Sequence, residues 1–113
     1  MIEKPAIATA IPRRRYRLGE FTVTVLGDIE SKDGRNYRHI AAIIKGQDPE
    51  PGMYITAEQG GSGALDLRII MHDGTEVVDS SERWRDLDEF VDEAIRIVSL
   101  VLKLTDETPY RLL

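Results

Sequence analysis

Of the side chains that do chemistry in proteins, this sequence holds two histidines, His39 and His72, no cysteine, and many acids and arginines. Zinc needs three or four ligands converging at about 2 Å. With no thiolate available, acids such as Asp66 or Asp73 would have to join the histidines, and no local spacing enforces that. Paired carboxylates fare no better. Asp28 and Glu30 share strand parity, as do Asp66 and His72, but acid–base work needs a cleft that shifts a pKa. The glycine-rich stretch Gly60-Gly61-Ser62-Gly63 feeds a strand rather than a helix N-terminus and carries no lysine. It therefore reads as a hairpin loop and not as a phosphate cradle. There is no Gly-x-Ser-x-Gly elbow, no His-Glu-x-x-His and no dinucleotide fingerprint. The expectation is a protein that binds rather than catalyses, with no metal, no cofactor and no small-molecule substrate.

The densest chemistry is cationic. Arg13-Arg14-Arg15-Tyr16-Arg17 is a compact basic run, and Tyr37 and Arg38 are brought towards it by a turn at Asp33-Gly34. Arginines interleaved with aromatics can neutralise phosphates and stack on bases, so these seven residues are the candidate nucleic-acid surface. The charge balance pulls the other way. Residues 1–45 carry nine Lys/Arg and five Asp/Glu, +4, whereas the remainder carries six and fifteen, −9. A basic half and an acidic half argue against wholesale coating of nucleic acid and suit a molecule that attracts copies of itself.

These residues need a frame. The 113 residues fit one domain, 1–113. Residues 1–14, with Pro5 and Pro12 among small apolar side chains, read as an extended arm. From 15 to 79 the pattern is a sheet. Phe21, Val23 and Val25 alternate with Thr22 and Thr24 over about 20–29, and Gly19 marks a bulge or bend. The segment 35–45 is apolar on both parities, with Ile40, Ala42 and Ile44 against Ala41 and Ile43, as in a central strand. Segments at about 53–58, 64–72 and 75–78 follow, the last pair joined by Asp73-Gly74. Their alternation puts Met53, Ile55, Ala57, Leu65, Leu67, Ile69 and Met71 on one face. Thr22, Thr24, Tyr54, Thr56, Arg68 and Ile70 fall on the other, which must meet water, a subunit or a ligand.

From 86 to 104 the apolar period becomes helical, through Leu87, Phe90, Val91, Ala94, Val98 and Val101. Asp86 and Glu89 have capping-box spacing, Trp84 is placed where sheet meets helix, and 105–113 is a tail. The expected fold is α+β: an antiparallel four- to five-stranded β-meander, strands in sequence order, with one long C-terminal α-helix packed across one face. In element order this resembles the Whirly family of single-stranded nucleic-acid binders. The resemblance implies a sheet surface used for single strands, transfers no residue, and is departed from by the additional strand pair Ala64–Val78.

The last half of the helix is apolar nearly all round, and one sheet covers one face. Ile97, Leu100, Val101 and Leu104 are therefore the candidate protein interface, of a homodimer or with another protein. The alternative cover is Ala6 to Ile11 folding back over the same stripe. No run approaches the roughly 18 apolar residues of a membrane span. The start, Met1-Ile2-Glu3-Lys4-Pro5, has no basic region ahead of an apolar core, so no membrane partner and a cytoplasmic location are expected.

Overall fold

The computed structural model describes residues 4–113. Its strands are β1 (Ile7–Leu18), β2 (Phe21–Ser31), β3 (Tyr37–Lys45), β4 (Met53–Gln59), β5 (Leu65–Met71), β6 (Gly74–Ser81) and β7 (Tyr110–Arg111). A 3-10 turn, Glu82–Arg85, leads into the helix α1 (Leu87–Val101). All strand pairs are antiparallel, in the order β6-β5-β4-β3-β2-β1-β7. The α+β meander is as expected, but the sheet has seven strands and not four or five, and both additions lie at the chain ends. Most of the expected arm is β1, which forms a two-residue hairpin with β2: Leu18 pairs with Phe21, and Gly19, at φ 61°, is the turn itself rather than a bulge. Pro12 is tolerated because β7 reaches only Tyr16 and Arg17, so β1 has a neighbour on one side there.

The register builds two faces. Val25, Ala41, Ile55 and Ile69 lie side by side under the helix, where Trp84, Phe90, Ala94 and Val98 close the main core. On the opposite face Leu26, Ile40, Thr56 and Arg68 are aligned. That face was expected to meet water or a partner, yet Ile40, Thr56 and Ile70 have no exposed surface at all. The β1–β2 ribbon supplies the cover. Three register shifts between these strands give it the extra bend that bulges impart, and Ile7 and Ile29 pack with Leu26 against Tyr37, Ile40, Tyr54 and Ile70. The fold-back is pinned by Asp33, which accepts from the Tyr37 hydroxyl at 2.7 Å and from the backbone N–H groups of Arg35 and Ala6 at 3.0 and 3.2 Å. Burial alone would raise the Asp33 carboxyl, but these bonds outweigh it and hold the group below its usual value.

The helix is shorter than the expected 86–104. Asp86 is its N-cap, accepting from Glu89 N at 3.0 Å. Glu89 does not complete a capping box, because its carboxylate is held by Arg83 at 2.9 Å. At the other end Lys103 adopts φ 57°. Leu104 N donates to Ser99 O at 2.7 Å and Lys103 N to Leu100 O at 3.4 Å, the paired bonds that stop a helix with a left-handed residue after its last turn.

Candidate functional site

Two concavities flank α1. At its N-terminal end, the bulged residue Arg13 of β1, Asp28 of β2, and Arg38 and His39 of β3 meet Arg85 and Asp86, where the 3-10 turn gives way to the helix. They enclose a cavity of about 580 Å3. Arg13 forms an ion pair with Asp28, and Arg85 pairs with Glu82. The Arg85 carbonyl gathers β3 to the turn: Arg38 Nε donates to it at 3.3 Å, and His39 Nε2 lies at the same distance. A carbonyl only accepts, so the proton of a neutral His39 ring sits on Nε2. The ring stacks at a tilt on Phe90, centroids 5.0 Å apart, and is 7% exposed. Nδ1 is buried without a partner among the described residues.

Burial lowers the His39 pKa below its ordinary value. Arg38 adds to that shift, while the Arg85 carbonyl and Asp86 oppose it. An unfolded histidine takes up its proton near 6.5 and the folded ring only below that. Between those two values the unfolded chain holds more protons, so stability present above about pH 6.5 declines as the pH falls through that window. We expect urea midpoints to drop as the pH is taken from about 7.5 to 5, and His39→Gln to flatten that part of the profile. An unaltered slope in the variant would show that another group carries it.

The seven cationic and aromatic residues singled out in the sequence are not one surface. Arg13 and Arg38 share the cavity. Arg14 faces the helix side, 3.6 Å from Asp88, and Tyr16 packs against the main core. Arg15 and Arg17 pair with Thr24 and Thr22 on the other face, where Arg15 Nε donates to Thr24 Oγ1 at 3.2 Å. Tyr37 is buried with its hydroxyl on Asp33, and burial with that carboxylate pushes its pKa well above the usual phenol value. Sequence reasoning left out Arg85 and gave His39 no role here. Nothing in local spacing connects β3 to the turn before α1, so no signal could have found them.

The second concavity, of about 440 Å3, runs between the C-terminal half of α1 and β6. Trp84, Ile69 and Ile97 line it with Val78, Leu100 and Val101, and Arg83, Glu93 and Arg96 stand around it. Of the four candidate interface residues, Ile97 is buried in the core and Leu104 packs half-buried against it. Leu100 and Val101 remain 55% and 41% exposed. The segment Ala6 to Ile11 does not cover them: Ile7 joins the opposite face and Ile11 is exposed on β1.

Among the described residues no group of three or more His, Asp or Glu is placed to hold a metal ion, and no helix is long and apolar enough to cross a membrane. No protein-family model matches the chain, and neither a curated protein nor a solved structure gives a significant match.

Proposed function

We propose that this protein is a non-catalytic interaction module that works as a homodimer, joined through the groove between α1 and β6. One observation carries the reading: Leu100, Val101 and Val78 stand exposed around a groove walled by the buried indole of Trp84. An uncovered apolar surface of this kind marks an interface. A second copy of the chain is the fitting occupant. Under a two-fold axis the Leu100 of each copy enters the groove of the other, and a rim holding both Arg83 and Arg96 and both Glu93 and Asp79 is complementary to itself. Sheet-edge pairing is the poorer route. The β6 edge carries Glu76 and Asp79 and a register shift at Val78, and the stretch of β1 that β7 leaves open carries Pro12 and register shifts, all features that blunt an edge.

Sedimentation equilibrium tests this. The wild-type chain should run as a dimer at micromolar concentration. Leu100→Glu, which places a charge where the partner's groove would desolvate it, should run as a monomer with an unchanged far-UV spectrum. A wild-type monomer, or a Leu100→Glu protein that stays dimeric, would sink the reading.

A further inference from the structure

At the end of α1 away from the groove, several irregularities of the chain fall in one place. Arg13 is the extra residue of a register shift between Pro12 and Arg14. Its stem lies across Gly27, where a Cβ would come within 3.0 Å of Arg13 Cγ. The next residue, Asp28, holds φ at 47°, in the left-handed region that non-glycine residues seldom adopt. His39 adds a buried nitrogen without a partner. Strain, a bulge and an unmet buried polar atom around one cavity are hallmarks of a binding site.

The charges define what the site would take. Arg13 is engaged by Asp28 and Arg85 by Glu82. Arg38 has committed only Nε, to the Arg85 carbonyl; among the described residues its terminal nitrogens have no partner. Asp28 and Glu82 thus balance two of the three arginines at the cavity, and Arg38 is the one whose charge no ion pair among the described residues holds. A guanidinium fork of this kind matches a carboxylate or phosphate oxyanion in two-point fashion. A cavity of about 580 Å3 is far larger than a bare ion and lies in the range of small-molecule sites. Ile29 and Leu87 supply apolar wall. We infer that the cavity binds a small organic anion, its carboxylate or phosphate on Arg38 and its body between β2 and the start of α1. The site is independent of the dimer groove.

The test is a titration of the 15N-labelled protein, followed by its amide resonances, with acetate, inorganic phosphate, AMP and a single-stranded oligothymidylate. AMP should give saturable shifts at Gly27, Arg38, His39 and Arg85, and the two bare ions separate a carboxylate from a phosphate preference. Arg38→Ala should weaken AMP binding about tenfold or more, the loss of a charge-assisted bond. Arg38→Lys should recover part of it. Lys45→Ala, at the far end of β3 and outside both concavities, should bind as the wild type does. No saturable shift up to about 10 mM, the weakest range of specific affinity, would overturn the inference. So would shifts spread evenly over the exposed arginines, or oligothymidylate binding more than tenfold tighter than AMP, which would make the arginines part of a strand-binding track.

Discussion

Glu58→Ala is expected to lower the unfolding free energy by about 3 kcal/mol or more, the cost of breaking a buried charge cluster. Glu58 is on β4, 5% exposed, and faces the side of the sheet away from the helix. Its Oε1 accepts from Arg35 Nη1 at 2.8 Å, and its Oε2 accepts from Thr56 Oγ1 at 2.9 Å and lies 3.1 Å from Arg68 Nη2. Arg68 is itself buried, at 4% exposure. Removing the carboxylate strips a desolvated guanidinium of this partner, and the loss is large because water cannot fully take its place. Glu58→Gln keeps the shape but gives up the charge, and should cost less. Replacing both members, Glu58→Leu with Arg68→Met, should recover much of the loss, because an apolar pair needs no compensation. Urea denaturation of the four proteins gives the answer. A Glu58→Ala loss under about 1 kcal/mol, the scale of an exposed pair, would mean that the second face opens to water in solution.

That cluster also shows what could and could not be read from the residues. The alternation along β4 and β5 correctly put Thr56 and Arg68 on the face away from the helix, because side-chain period is a local property of a strand. Apolar residues on both parities of β3 marked it as central, and Asp86 marked the helix start. What covers the second face was hidden, because the cover depends on the bulges between β1 and β2 and those arise from pairing rather than from composition. Pro5 and Pro12 among small apolar residues made the start of β1 look like an extended arm, when it is Asp33 that holds that start down. The same separation hid the cavity. The turn at Asp33-Gly34 already brought Arg38 towards the basic run of Arg13, but that Arg85 joins them is set by the coiled ribbon and the turn before the helix. The short β7 has no pattern of its own. It forms because the chain returns past the open edge of β1, where Leu112 N finds Arg15 O at 2.7 Å.

The second large effect is expected at Trp84. Trp84→Ala should cost about 3–5 kcal/mol, the usual range for deleting a buried aromatic ring, whereas Trp84→Phe should cost much less. The indole is 1% exposed, seated between sheet and helix. Ser81 Oγ caps its 3-10 turn by accepting from Arg83 N at 3.0 Å, and the Arg83 guanidinium lies 4.8 Å from the ring centroid. Its Nε1 has no hydrogen-bond partner among the described residues. Phenylalanine therefore gives up volume but no hydrogen bond, and it removes a buried donor that is itself a cost. Alanine gives up nearly all the packing and leaves a cavity. Circular dichroism must follow the unfolding, since Trp84 is the chain's one tryptophan. If phenylalanine costs as much as alanine, Nε1 is bonded in solution and the argument from its unmet donor fails. The two variants also separate stability from association. Trp84 walls the groove proposed as the dimer contact, so Trp84→Phe should fold and dimerise more weakly. Leu100→Glu, at a side chain 55% exposed on that groove, should lose the proposed dimer while keeping its unfolding free energy per chain near that of the wild-type monomer.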